Sequence, residues 1–126
     1  MEFRDNQAVY LQIVDYVFEQ ILLGKWETEE KIMSIRDLAI LLQVTPNTVQ
    51  RSYDFIQQLE IISNQRGIGF FVEKDAVKKI ISYKKEEFIG KDLPVLFKNM
   101  QLMNMEFSEI ESLYNRYIKS ISKKQS

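Results

Sequence analysis

Two short helical segments lie only two residues apart in this chain, and each carries its own start signal. Ser34 precedes the segment IRDLAILL, and Asp37 at the third helical position completes a box-like cap. After the dipeptide QV, Thr45 is a second capping residue, and Pro46 takes the first helical position, where its missing N–H costs nothing. So short a connection between two capped helices is typical of a helix-turn-helix.

The segments on either side of this pair extend the pattern. Apolar residues recur at spacings of three and four from Asn6 to Leu23, which predicts an amphipathic helix that ends at Gly24. After Glu60 the segments IIS and IGFFV read as strands, joined by the turn NQRG with Gly67. Three helices followed by a hairpin predict a mainly α fold, with a winged helix-turn-helix over residues 1–73.

Residues 74–126 are predicted to form a helical tail. A lysine-rich helix starts near Asp75, Gly90 and Pro94 interrupt or kink it, and Ser108 caps a final helix. Two helices with apolar stripes cannot bury these stripes alone, so a partner subunit is the simplest cover. The alternative is that the tail folds back onto its own chain. The predicted dimer contacts are Ile80, Phe88, Phe97, Met100, Met103 and Tyr114.

Composition weakens the case for an enzyme. The chain has no cysteine and no histidine, which removes disulfides, the usual zinc sites and His-based acid/base catalysis. Scattered carboxylates on helices are more often a solvated face than a catalytic pair. We therefore expect neither an enzyme nor a bound cofactor. The N-terminus lacks a basic segment followed by an apolar run, and no apolar run is long enough to span a membrane, which indicates a cytoplasmic protein.

The second helix of the pair carries no acidic residue before Asp54. In a helix-turn-helix the start of this helix enters the major groove, where an acid would face phosphates. Asn47 and Gln50 can pair with adenine, and Arg51 can reach guanine or phosphate. The hydroxyls of Thr45 and Thr48 suit phosphate oxygens. The alternative is an ordinary solvent-facing polar surface.

Two further elements offer positive charge. Arg36 on the preceding helix can contact a phosphate, or else pair with Asp37 or Glu30. Arg66 beside Gly67 in the hairpin turn can enter a minor groove, or be no more than an exposed charge. Residues 1–73 hold 6 Lys/Arg against 11 Asp/Glu, a net charge of −5. DNA binding therefore requires that the acids lie on other faces.

Three separated segments resemble a known family. AVYLQIVDYVFEQILLGKW, SIRDLAILLQVTPNTVQRSYDFIQQLE and NQRGIGFFV together resemble the winged helix-turn-helix of the GntR family of bacterial transcription regulators, over residues 7–72. The short helical tail resembles that of its YtrA-type subfamily. The resemblance implies a homodimer, held by the C-terminal helices, on a two-fold symmetric operator. It also implies DNA contacts at Arg36, Asn47, Thr48, Arg66 and Gly67.

The chain departs from the family pattern at several positions. Thr28, Glu29 and Met33 replace a Pro-Gly turn and a proline, so this connection is expected to differ in shape. Gln43 stands where a glycine is common between the two helices. Many members have arginines at the positions of Pro46 and Gln50, so their base contacts cannot be transferred there.

The leading hypothesis is a sequence-specific repressor. The main competitor is a winged-helix module that binds another protein and no DNA, which the acidic first part and the Met- and Phe-containing tail would suit. A small-molecule effector could bind between the tail helices, although no residue identifies it. The sequence leaves the operator, the regulated genes and the choice between repression and activation open.

Overall fold

The computed structural model describes residues 2–4 and 7–125 of the chain. The chain divides into two compact units, residues 1–84 and 85–126. The predicted mainly α architecture with a small hairpin is confirmed. The first unit holds α1 (Val9–Leu22), α2 (Ile35–Leu42), α3 (Pro46–Gln58), β1 (Ile62–Gln65), β2 (Gly69–Val72) and most of α4 (Ala76–Glu87). The second unit holds the end of α4, a π-helical turn (Phe88–Asp92), α5 (Leu93–Leu102) and α6 (Phe107–Gln125).

The first helix forms as its apolar period predicts. Its inward face is buried, and Ile13, Val17 and Phe18 have no exposed surface. Gly24 follows the helix with a φ of +76°, a left-handed conformation that glycine adopts without steric cost. Asn6, where the periodicity predicts the start of the helix, lies outside the described residues.

Both caps of the helix-turn-helix are present. The backbone N–H of Asp37 donates to Ser34 Oγ at 3.1 Å, and that of Thr48 donates to Thr45 Oγ1 at 3.4 Å. Pro46 is in the first turn of α3, as predicted. Gln43 makes the turn between the helices with a φ of 57° and a ψ of 48°. Gln43 thus has a left-handed backbone conformation, which glycine would adopt without strain.

The hairpin of β1 and β2, which is the wing of this fold, makes more backbone hydrogen bonds than the sequence predicts. The hairpin pairs Ile62 with Val72 in antiparallel register. The connection between α1 and α2 then lies along the other edge of β2. The N–H of Glu29 donates to Val72 O at 2.7 Å, and the N–H of Ile32 donates to Phe70 O at 2.9 Å. The connection between α1 and α2 therefore pairs with the two-stranded hairpin through an isolated bridge between Lys31 and Phe71.

The core of the first unit reaches past the hairpin into α4. Ala76 and Ile80 have no exposed surface and belong to the same buried cluster as α1 and α3. The prediction that Ile80 is a dimer contact is wrong, because its side chain is completely buried in this core. The predicted division at residue 73 is one of function and stays a prediction, whereas the packing divides the chain after residue 84.

The second unit begins with the expected irregularity. The helix continues through the π-helical turn, in which the N–H of Leu93 donates to Phe88 O, five residues back. Pro94 has no N–H to give, so the widened turn accommodates it without ending the helix. Ser108 is not a cap, since α6 already begins at Phe107. Among the described residues no helix is long and apolar enough to cross a bilayer.

Candidate nucleic-acid interface

The two sides of α3 are as different as the sequence predicts. Val49, Tyr53 and Ile56 have no exposed surface, and they pack into the core. The side chains of Asn47 and Gln50 are exposed on the other side. No acidic residue precedes Asp54 in this helix. The start of α3 therefore presents hydrogen-bonding side chains to solvent, and its own unpaired N–H groups favour an anion.

The two threonines at the start of α3 are already engaged with each other. Thr45 Oγ1 lies 2.9 Å from Thr48 Oγ1 and accepts the N–H of Thr48. In such a pair one hydroxyl donates to the other, so one hydroxyl proton remains free. Thr45 and Thr48 can thus offer a single donor to a phosphate oxygen, in addition to capping the helix.

An acid orients the amide of Gln50. Its Nε2 donates to Asp54 Oδ1 at 2.8 Å, between residues one turn apart. This bond uses one of the two amide protons and leaves the second, together with Oε1, free to meet a base edge. Asp54 is the first acid of α3, and its carboxylate is partly occupied by this contact.

Arg51 stacks on an aromatic ring of another helix. Its Cζ lies 3.8 Å from the centroid of the Tyr10 ring, in the first turn of α1. A guanidinium stacked in this way uses its flat face and keeps its in-plane N–H donors free. The sequence predicted an exposed Arg51 but did not predict Tyr10. Tyr10 lies 41 residues earlier in the chain, with α2 between them, and no local signal joins the two.

The other two arginines are exposed on separate elements of the first unit. Arg36 is the second residue of α2, and the alternative pairing with Asp37 or Glu30 is not formed. Arg66 lies in the turn between β1 and β2, beside Gly67, whose φ is +79°. In the described part of the chain neither arginine has an ion pair. Their charges are therefore available to a partner.

The candidate dimer contacts of the second unit fall into two groups. Phe88, Phe97, Met103 and Tyr114 are each more than half exposed, with Phe97 at 53%. Met100 is only 8% exposed. Met100 is thus mostly covered within the chain, whereas the four exposed residues have apolar surface left for a partner. Across residues 2–4 and 7–125, no group of acidic side chains is arranged to hold a metal ion.

No family model matches the chain. The crystal structure of a GntR-family protein from Bacteroides thetaiotaomicron has 40% sequence identity and a TM-score of 0.79, and it covers 90% of this chain and 98% of its own.

Two curated proteins of Bacillus subtilis are also similar. The HTH-type transcriptional regulator YhcF is 29% identical over 109 residues, which are 86% of this chain and 88% of YhcF. The HTH-type transcriptional repressor YtrA is 27% identical over 119 residues, which are 94% of this chain and 88% of YtrA. Each similarity thus includes both the helix-turn-helix and most of the tail.

Proposed function

Because this chain belongs to the GntR family of transcription regulators, we propose that it is a repressor that binds a palindromic operator as a homodimer. The family consists of DNA-binding regulators and not of enzymes. The repressor role is supported by the similarity to YtrA, which is an HTH-type transcriptional repressor. The symmetric operator follows from the proposed two-fold dimer. Action on chromosomal DNA would place the protein in the cytoplasm.

The observation that carries the proposal is the exposed, acid-free start of α3, with Arg51 held so that its donors stay free. In this proposal α3 enters the major groove, as the second helix of a helix-turn-helix does. Asn47 and Gln50 meet base edges, and Arg51 meets guanine or a phosphate. These three residues determine which sequences are bound.

The remaining contacts are assigned to the sugar-phosphate backbone and the minor groove. Arg36 and the free hydroxyl of the Thr45–Thr48 pair contact phosphates, which fix the register of the protein on the duplex. Arg66 and Gly67, at the turn of the hairpin, approach the minor groove. These contacts add affinity that depends on salt, because binding releases counterions.

The overall charge of the first part has to be arranged by face for this proposal to hold. Residues 1–73 carry 6 basic and 11 acidic residues, a net charge of −5. Five of the acids lie in α1 and in the connection after it, at Asp15, Glu19, Glu27, Glu29 and Glu30. Arg36, Arg51 and Arg66 belong to elements that hold fewer acids, Asp37 in α2 and Asp54 in α3, and this supports a partial separation of charge by face.

The exposed apolar residues of the second unit support a dimer. Phe88, Phe97, Met103 and Tyr114 would be covered by the same residues of a partner. A two-fold dimer places two α3 helices about 34 Å apart, or a multiple of this distance, along one side of the duplex. A small-molecule effector between the tail helices stays a prediction.

Removal of the Arg51 guanidinium tests the proposal. We expect Arg51→Ala to weaken binding to a selected operator by about 1–3 kcal/mol, since a bidentate contact is lost. Affinity is measured by fluorescence anisotropy, with an operator recovered from a random duplex pool. The wild-type affinity should also fall steeply as salt increases.

Arg116→Ala is the matched control, because it removes the same charge from an exposed position in α6. It should bind as tightly as the wild type. Equal affinities for the Arg51→Ala variant and the wild type would contradict the assigned contact. A wild-type chain that retains no duplex at low salt, but captures a defined protein, would instead support a protein-interaction module.

A further inference from the structure

The ring of Tyr10 covers one turn of α3 at the edge of its exposed face. The Arg51 guanidinium lies over this ring, with its Cζ 3.8 Å from the ring centroid. Phe55 also makes an edge contact with the same ring, with centroids 6.4 Å apart and an angle of 68°. Residues 51 and 55 are four apart and so lie on the same side of the helix. Tyr10 therefore packs on α3 directly beside the residues proposed to meet DNA.

The backbone of Tyr10 is fixed to α3 by a separate contact. Ser52, which has no exposed surface, donates its hydroxyl to Tyr10 O at 2.8 Å. The same hydroxyl lies 3.1 Å from Thr48 O. This buried bond holds the first turn of α1 against α3 whatever side chain stands at position 10. The backbone of Tyr10 is therefore held beside Arg51 before any ligand binds.

The stack has a consequence for binding. An arginine side chain has many rotamers, and a free one loses them when it makes a hydrogen bond. The Tyr10 ring restricts Arg51 to conformations in which the guanidinium lies flat on the ring, with its N–H donors at the edge. The cost of ordering Arg51 is then met in the free protein and not at the moment of binding.

We infer that Tyr10 is a positioning residue for the Arg51 contact with DNA, so that α1 contributes to operator affinity without reading a base. This inference rests on the proposed function. It differs from a packing role for Tyr10, which would affect the folding of the first unit but would not act through Arg51. The two roles predict different results for substitutions at both positions.

A double-mutant cycle separates them. Operator affinity is measured by fluorescence anisotropy for the wild type, Tyr10→Leu, Arg51→Ala and the double variant. We expect Tyr10→Leu to weaken binding by about threefold to tenfold when Arg51 is present, and to have no effect in the Arg51→Ala background. Tyr10→Phe keeps the ring and should keep the affinity within about twofold of the wild type.

Folding is checked on each variant by thermal unfolding followed by circular dichroism. If Tyr10→Leu does not fold, Tyr10→Met replaces it in the cycle, since methionine fills a similar volume and adapts its shape. Equal losses in both Arg51 backgrounds would overturn the inference, as would a Tyr10→Leu variant that folds and binds like the wild type.

The outcomes also separate this inference from the proposed function. A wild-type chain that binds no operator would contradict both the proposed function and the inference about Tyr10. A wild type that binds, with an Arg51→Ala variant of equal affinity, would leave a DNA-binding regulator but remove the Arg51 contact and the role of Tyr10. A strong Arg51→Ala loss without coupling to position 10 would remove only the inference.

Discussion

At the scale of single residues, Gln43 shows how the short turn between α2 and α3 is built. Its backbone is left-handed, its N–H donates to Ile40 O at 3.3 Å, and the N–H of Val44 donates to Ala39 O at 3.0 Å, which closes the end of α2. A side chain with a Cβ in this conformation costs about 1 kcal/mol relative to glycine. The left-handed conformation lets the chain turn within the two residues between α2 and the N-cap Thr45 of α3.

Replacement of Gln43 by glycine should stabilise the protein. We expect Gln43→Gly to raise the free energy of unfolding by about 0.5–1 kcal/mol, since relief of the strain exceeds the extra freedom gained by the unfolded chain. Urea denaturation measures the change. Gln43→Ala is the control, because it keeps the Cβ and should give no gain. A glycine variant no more stable than the alanine variant would show that the turn is not strained.

The element scale shows what holds the wing to the helices. The connection between α1 and α2 pairs along β2, and Tyr53 of α3 forms a hydrogen bond with the end of that connection. The Tyr53 hydroxyl donates to Met33 O at 2.7 Å, and its ring meets the edge of Phe70 with centroids 4.9 Å apart. One side chain of α3 thus contacts both the segment before α2 and the strand β2.

Burial of this hydroxyl makes its ionisation unfavourable. Desolvation, and to a lesser extent a charge on nearby Tyr16, raise the pKa of Tyr53 well above its usual value of about 10. The unfolded chain therefore loses this proton at lower pH than the folded chain. The stability that Tyr53 contributes is complete below about pH 10 and is lost as the pH rises above it.

Tyr53→Phe tests both features. At neutral pH we expect the variant to lose about 1–2 kcal/mol of unfolding free energy, because Met33 O is left without its donor. Above about pH 10 the wild type should lose stability more steeply than the variant, so the difference between them should shrink. Denaturation at several pH values measures both curves. Parallel curves throughout would contradict the assigned cause.

At the scale of the whole molecule, the tail is the part that its own chain leaves most exposed. Phe97 in α5 and Tyr114 in α6 are both more than half exposed, as are several of their neighbours. Apolar surface of this extent on a folded unit indicates an interface. In the proposed repressor this interface sets the spacing of the two α3 helices, and so it sets which operators can be bound.

Phe97→Glu should separate the proposed dimer. A carboxylate buried at an apolar interface is strongly unfavourable, so we expect sedimentation to show a monomer where the wild type is a dimer. Operator affinity should fall with it, because two half-sites are no longer bound together. Asn99→Glu adds the same charge at an exposed position of the same helix and should remain dimeric. A monomeric wild type would contradict the proposal.

Much of the fold could be predicted because its signals are local. The caps at Ser34 and Thr45, Pro46 at the start of α3 and Gly24 after α1 are all confirmed. The interruption near Gly90 was expected, although its form as a π-helical turn was not. The prediction of Ser108 as a cap was wrong because α6 begins one residue earlier, at Phe107. The prediction of Ile80 as a dimer contact was wrong because an apolar stripe does not show whether its own chain or a second subunit covers it.

The sequence by itself determined the helix-turn-helix, the hairpin and the polar face of α3, because caps, proline and periodicity act over a few neighbouring residues. Only the tertiary structure decided that Tyr10 stacks on Arg51, that residues 29–32 pair with β2, and that α4 begins inside the core. These contacts join residues far apart along the chain. Their formation depends on how the elements pack, which no local pattern encodes.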